Sequence, residues 1–335
     1  MAKRICLPTT TSSVSLPCVV LHTILRMVDN GADVTAYLAA LPPSTLPPEL
    51  VALRDLGAVV DLAKHWPTVR VVDVPFEYAR LAIDALPAFV SLTVDAGFRA
   101  LAWLGATLPP TMRVSLAVDL SVPGNHTAFS HVWGDNVIEL TIPGNLLGHD
   151  AIPDILGRCV NVEDVAIESS QTTPEDIAVC LSALSTKHLD ILTVDAGRCR
   201  MVDTTAIVAW LQGPNASCFS LSCDSVRDPT ALASAIESSS TLSALDLKDV
   251  LDVQEALAAS PKSLHHITVL MVRVPRLRSD VALGLLRKLV PTRVHTVSVD
   301  RNFQWNEGDE DQEVPDTAIL NDLAAYSSLK SLFLN

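Results

Sequence analysis

Three groups of residues in this chain carry side chains that could do chemistry, and each departs from the spacing that the chemistry needs. The stretch 300–313 alternates oxygen-bearing side chains as a calcium-binding loop does, but Trp305 stands where such a loop requires glycine. His265 and His266 are neighbours at the start of an apolar run, where one side chain would face water. Seven cysteines are scattered without any C-x-x-C pair, which favours small buried thiols over a metal or redox site.

Nucleotide-binding and hydrolytic motifs are also missing from the sequence. It contains no G-x-x-x-x-G-K-[ST], G-x-G-x-x-G, G-x-S-x-G or H-E-x-x-H. We therefore expect no enzyme, no metal and no cofactor. A formal net charge of −14 argues against nucleic acid as a partner, because phosphate binding needs clustered Lys and Arg. No stretch has the roughly 18 apolar residues that cross a bilayer. We expect a cytoplasmic protein, with the nucleus as the alternative compartment.

One short stretch shows how the chain is organised: LTVDAG occurs at Leu92–Gly97 and again at Leu192–Gly197. Both copies belong to the strand template apolar-x-x-apolar-x-apolar, which occurs eleven times at intervals of about 26 residues. The central positions of the eleven copies are Val72, Leu92, Leu116, Leu140, Val165, Leu192, Leu221, Leu245, Leu270, Val297 and Leu332.

Helices are predicted between these strands. Thr173 and Pro174 place an N-cap residue and a first-turn proline before an apolar run that ends at Leu184. Five further stretches begin similarly with aspartate: Asp203–Leu211, Asp228–Ile236, Asp252–Ala259, Asp280–Leu289 and Asp316–Ala325. One strand with one helix cannot bury both faces of its strand, so the units must stack.

The repeat resembles the leucine-rich repeat family, over residues 66–335. The signature asparagine of that family is present at Asn145 and Asn302 but replaced elsewhere, so the chain is similar to the longer, ribonuclease-inhibitor-like class. The resemblance implies an α/β fold: a horseshoe-shaped solenoid with a parallel sheet on its concave face and helices on its convex face.

Residues 16–41 do not fit the repeat. Apolar pairs at Val20-Leu21 and Ile24-Leu25 predict one face of a helix, which Gly31 closes, and Asp33 can start a second helix. This segment resembles a degenerate F-box with the motif LP-x-x-x-L-x-x-I-L, and we assign residues 14–63 to a small helical head. The resemblance implies that the adaptor-binding residues are Leu16, Pro17, Val20, Leu21, Ile24, Leu25 and Leu38.

An F-box followed by leucine-rich repeats implies a substrate receptor of a Skp–cullin–F-box ubiquitin ligase, in which the head binds a Skp-type adaptor. The alternative is a leucine-rich-repeat binding protein unrelated to ubiquitin. Its head would only cap the first repeat, burying Leu21 and Leu25 against Val69 and Val72.

The residue directly after the template, as Asp95 follows Val94, marks a charged row on the concave face. Acidic residues dominate this row, which predicts a docking surface for a basic segment of a protein partner. The candidate partner-binding residues are Asp95, Asp119, Glu168, Asp195, Asp224, Lys248, Arg273 and Asp300. Each aspartate also has a local alternative, because aspartate at the end of a strand can accept a hydrogen bond from a nearby main-chain N–H.

Overall fold

The structure is a computed structural model that describes most of the chain as two compact units. The described residues are 17–118, 123–143, 150–168, 173–197, 201–273, 279–300 and 324–334. Unit 1 comprises Met1–Thr93 with Thr107–Met112, and unit 2 comprises Val94–Ala106 with Arg113–Asn335. The predicted boundaries of the head and the repeat domain, 14–63 and 66–335, stay a prediction.

Unit 1 is mainly helical, with two short parallel strands. Its elements are α1 (Cys18–Arg26), α2 (Gly31–Ala40), α3 (Pro48–Gly57), β1 (Thr68–Arg70), α4 (Ala79–Ala85) and β2 (Ser91–Val94). Helices α2 and α3 pack on each other, and α3 packs on α4. Trp66 connects the segment after α1 to this core. Its Nε1 donates to the Val28 carbonyl over 2.6 Å, and its ring lies 5.7 Å from the Phe89 ring.

The prediction that Gly31 closes the first helix was wrong. Helix α1 ends at Arg26, and Gly31 is instead the first residue of α2, whose N-cap Asn30 accepts from the Ala32 N–H over 2.9 Å. Glycine is required there for space, since a Cβ would lie 2.0 Å from the Leu62 carbonyl oxygen. The glycine therefore allows α2 to approach the main chain after α3.

Unit 2 alternates strands and helices. The strands are β3 (Arg113–Ala117), β4 (Val137–Pro143), β5 (Asp164–Glu168), β6 (Ile191–Asp195), β7 (Cys218–Ser222), β8 (Ala244–Lys248), β9 (Val269–Arg273), β10 (Thr296–Asp300) and β11 (Ser331–Leu334). The helices are α5 (Leu101–Thr107), α6 (Pro123–Trp133), α7 (Ala151–Arg158), α8 (Pro174–Ala183), α9 (Thr205–Leu211), α10 (Pro229–Ser238), α11 (Leu251–Ala259) and α12 (Ser279–Lys288). None of the helices in the described ranges is long and apolar enough to cross a membrane.

All strands of unit 2 pair in parallel, in the order in which they occur in the chain. One residue of each strand lines up across the sheet to form a buried rib: Leu116, Leu140, Val165, Leu192, Phe219, Leu245, Leu270 and Val297. Burial of one such side chain contributes roughly 1.5–3 kcal/mol. Along each strand, the residues between the buried ones are half-exposed or exposed with few exceptions, so the sheet has one buried face and one open face. The predicted α/β solenoid of leucine-rich-repeat type is thus confirmed.

Two helix starts confirm the capping signals in the sequence, at α8 and α10. Asp252 and Asp280 lie instead at the second position of α11 and of α12. Thr173 and Asp176 form a capping box at α8, with Pro174 in its first turn, and Asp228 accepts from the Ala231 N–H over 2.8 Å at α10. Neighbouring helices of unit 2 pack side by side. Trp210 of α9 joins a helix to the buried face of the sheet, because its ring meets the Phe219 ring edge-on at 6.0 Å. The predicted helix at Asp316–Ala325 lies almost entirely outside the described residues.

The register of two predicted repeats was wrong. In the first, β1 covers only Thr68–Arg70 and Val69 pairs with Leu92, while Val72 lies beyond the strand with half of its surface exposed. In the seventh, Phe219 and not Leu221 pairs with Leu192. Both errors have the same cause: apolar residues two or three positions further along also satisfied the template.

Candidate interaction surfaces

The open face of the sheet ends in a row of mostly charged side chains, which we call the strand-end row. The pairing aligns its members from β4 to β10: Pro143, Glu168, Asp195, Ser222, Lys248, Arg273 and Asp300. Asp224 was predicted to be part of this row, and that placement was wrong, because the corrected register puts Ser222 beside Asp195. Asp224 lies exposed two residues past β7. After Pro143 the row therefore consists of an acidic pair, a serine and a basic pair, followed by Asp300.

The acidic pair is formed by neighbouring strands. Glu168 at the end of β5 is exposed, and it aligns with Asp195 of β6, which is half-buried. One Asp195 oxygen accepts from the Gly197 N–H over 3.0 Å, so the local role expected of an aspartate at a strand end is present here. No Lys or Arg lies on either strand, so within the described chain their negative charges stand side by side without a cation.

A second acidic group lies at the opposite ends of the same strands. Glu139 of β4 aligns with Asp164 of β5, and Asp190 directly precedes β6. Burial, followed by repulsion from Glu139 and Asp190, raises the pKa of Asp164 from its ordinary 3.8 to about 6. This group was not among the residues predicted from the sequence. An acidic residue directly before the central apolar residue in two consecutive repeats, Glu139 before Leu140 and Asp164 before Val165, was the available signal.

One member of the basic pair, Arg273, contacts a buried carboxylate. Lys248 of β8 aligns with Arg273 of β9, and the Arg273 guanidinium forms an ion pair with Asp246, which is only 7% exposed. Ser220 of β7 approaches the same Asp246 oxygen at 3.4 Å. The other oxygen, Oδ1, has no hydrogen-bond donor within the described part of the chain. Sequence reasoning missed Asp246, although an aspartate between two leucines of a strand was a visible anomaly.

Asp249 follows Lys248 in an unusual backbone conformation. Its φ of 59° is left-handed, which residues other than glycine adopt infrequently. Burial raises the pKa of the Asp249 carboxyl; Lys248 and Arg273 oppose this shift, while Asp224 and Asp195 add to it. Asp249 thus brings another carboxyl group to the edge of the sheet near the basic pair.

Three other residues were predicted to belong to this surface: Asp95, Asp119 and Asp300. Asp95 follows β2 and is half-buried. Asp119 lies outside the described residues, and so does the side chain of Asp300, although its main chain ends β10. For these three residues a role in partner binding stays a prediction.

The candidate adaptor-binding residues divide between two faces of α1. Leu21 and Leu25 are buried inside unit 1, as is Leu38 of α2. Pro17 and Val20 are exposed, Ile24 is half-buried, and Leu16 lies outside the described residues. Met27, which the sequence analysis did not select, is 77% exposed and continues the Val20–Ile24 side of the helix at the spacing i, i+4, i+7. This outer apolar stripe is open to a partner, whereas the inner leucines belong to the core.

Two buried cysteines and the histidine pair have surroundings typical of structural residues. Burial raises the pKa of Cys159 and of Cys180 to about 12, so both thiols stay protonated at neutral pH and are poor nucleophiles. His266 lies 3.0 Å from the Ile236 carbonyl, and burial, with repulsion from His265, lowers the pKa of His266. The calcium-loop-like stretch lies outside the described residues beyond Asp300.

Comparison with known proteins gives little beyond the fold. No protein-family model matches the chain, and no curated protein matches it. Among solved structures the chain is similar to one described as the crystal structure of the Rad7 and Elc1 complex in yeast. The match has a TM-score of 0.40 and 11% sequence identity, and it covers 94% of this chain and 75% of that chain. A likeness at this level does not assign a function.

Proposed function

We propose that the chain is a protein-interaction scaffold without catalysis of its own, acting as a substrate receptor of a Skp–cullin–F-box ubiquitin ligase. The open sheet face supports the scaffold role, because half-exposed and exposed side chains of successive strands line up on it from β4 to β10. Solenoids use such extended faces to hold partners. The acidic pair Glu168 and Asp195 would contact a basic segment of the bound protein.

The outer stripe of α1 supports binding of a Skp-type adaptor. Val19 and Met27 are 75% and 77% exposed, and Val20 is 39% exposed, so one short helix presents three apolar side chains to solvent. An amphipathic helix normally buries its apolar residues, and exposed ones gathered on one helix are typical of a docking site. The similarity of residues 16–41 to an F-box names the adaptor class.

The alternative is that α1 to α3 only cap the repeats. Several contacts favour it, since they bind the helices into unit 1. His22 lies 3.3 Å from Glu49 of α3, and the Trp66 indole holds the Val28 carbonyl. The fully buried Leu25 and Leu38 also serve the core of that unit. Under this alternative the outer stripe has no partner, and its composition has no consequence for binding.

Pull-down with a purified Skp-type adaptor separates the two functions. The test variant carries Val20→Glu and Met27→Glu, which place charges on the outer stripe without entering the core. We expect it to weaken adaptor binding at least tenfold, because apolar interface anchors contribute more than about 1.4 kcal/mol together. The control is Val59→Glu, another exposed valine of unit 1 that lies beyond the end of α3.

The buried leucines of unit 1 are tested with a separate variant. Leu25→Ala should lower the melting temperature of the chain and reduce adaptor binding only through that loss of folded protein. If the intact, folded chain fails to bind the adaptor, the ubiquitin-ligase function is wrong and the capping alternative stands. If Val20→Glu with Met27→Glu binds as the unmodified chain does, the outer stripe is not the adaptor-binding site.

A further inference from the structure

We propose that the open face of β5 to β9 binds an extended protein segment whose own charges are segregated, basic at one end and acidic at the other. This rests on the proposed function, since it specifies the partner of the sheet face. It replaces a mostly acidic surface, and hence a basic partner segment, with a bipolar one.

The charges along the strand-end row are segregated by sign. Glu168 stands beside Asp195, and Lys248 stands beside Arg273, with Ser222 between the two pairs. Like charges directly opposite each other on neighbouring strands destabilise a sheet. Because Arg273 is already paired with Asp246, Lys248 supplies the positive charge that a partner can neutralise at this end of the row. Glu168 and Asp195 supply the negative charge at the other end.

Asp246 lies on the open face of β8, two residues before Lys248, and its surroundings also indicate a partner. It is nine-tenths buried, and one of its oxygens is held by Arg273. The second oxygen has no donor in the described chain and almost no exposed surface, and a buried acceptor without a donor destabilises the fold. A main-chain N–H from a segment lying over β8 and β9 would supply the missing hydrogen bond after neighbouring side chains move aside.

The distances set the length of the segment. Neighbouring strands lie about 4.8 Å apart, so the four steps from β5 to β9 span about 19 Å. An extended chain advances about 3.3 Å per residue, and about six residues bridge that distance. The partner segment thus carries its basic and acidic ends about six residues apart and lies across the strands.

The test uses three labelled peptides of equal length and fluorescence polarisation at low salt. The first has three lysines, six glycine or serine residues and three glutamates; the second has the same composition with alternating charges; the third has lysine in place of glutamate. The first two carry no net charge, so general attraction to an acidic chain cannot distinguish them. We expect the segregated peptide to bind on the order of tenfold more tightly than the alternating one.

Matched variants locate the binding. Glu168→Lys with Asp195→Lys makes the charged row basic, and it should weaken binding of the segregated peptide about tenfold. The control, Glu77→Lys with Glu255→Lys, changes the net charge equally at two exposed residues away from the sheet. It should leave that binding unchanged.

The outcomes separate this inference from the proposed function. If the alternating peptide binds as tightly as the segregated one, the segregated-charge partner is wrong. The docking of a basic segment still holds if the all-lysine peptide then loses affinity in the Glu168→Lys and Asp195→Lys variant but not in the control. If the all-lysine peptide responds to neither variant, the docking role of this sheet face is wrong as well.

Discussion

Phe219→Ala tests the inward packing of β7, the strand whose register determines the strand-end row. Phe219 is fully buried, aligns with Leu192 and Leu245, and meets the Trp210 ring edge-on at 6.0 Å. Truncation removes the transfer free energy of the ring, leaves a cavity between two strands and the helix, and abolishes the aromatic contact. Together these terms give a loss of about 4 kcal/mol in the free energy of unfolding.

Urea unfolding followed by circular dichroism measures this loss. We expect the midpoint to fall with an unchanged slope, because the surface exposed on unfolding stays nearly the same. Cys218→Ala on the same strand is the matched comparison: its half-buried side chain points to the open face, so it should cost less than about 1 kcal/mol. A loss at Cys218 as large as that at Phe219 would refute the assignment of Phe219 to the buried face.

Two further predictions concern the same sheet. Ile191 aligns with Cys218, so Ile191→Cys should form a disulfide under mild oxidation, detectable by mass spectrometry, whereas Leu189→Cys should not; the opposite result would favour the register predicted from sequence, in which Leu189 aligns with Cys218. Asp164→Asn should stabilise the chain at pH 7 by roughly 1 kcal/mol, a value reduced for the partial exposure of the carboxyl. Because the raised pKa penalises only the ionised form, stability from Asp164 is complete below pH 3.8 and is lost as the pH rises through about 6. The difference in unfolding midpoint between variant and unmodified chain should therefore vanish near pH 4, and a constant difference would contradict it.

The local elements were predictable from sequence because their signals are local. Thr173 and Asp228 cap their helices through hydrogen bonds to residues three positions away, so a short stretch contains the whole interaction. Parallel strands with helices on the buried side followed from the spacing of the apolar ribs. Stacking is the only way in which such short units bury those ribs.

The register of β7 was not predictable from apolar spacing. Phe219, Leu221 and Cys223 are all buried, and a slip of two residues along a strand keeps the same side chains inward. Hydrophobicity therefore cannot distinguish the two alignments. The slip nevertheless changes the end of the strand from Ser222 to Asp224, and with it the charge pattern of the open face.

The head and the buried ion pair depended on contacts distant in sequence. The apolar pairs of α1 were read as one face, yet Leu21 and Leu25 turn inward while Val20 does not, because only the packing of unit 1 decides which stripe is covered. Asp246 is stabilised by Arg273 from the next strand. No pattern within either strand reveals that pairing.

Zero-length carbodiimide cross-linking tests most directly whether the open sheet face is the docking surface. The segregated peptide is bound, cross-linked, digested and mapped by mass spectrometry. The account predicts that peptide lysines join to Glu168 or Asp195 and that peptide glutamates join to Lys248. Cross-links concentrated on exposed helix carboxylates, such as Glu175 of α8 and Glu255 of α11, would contradict it.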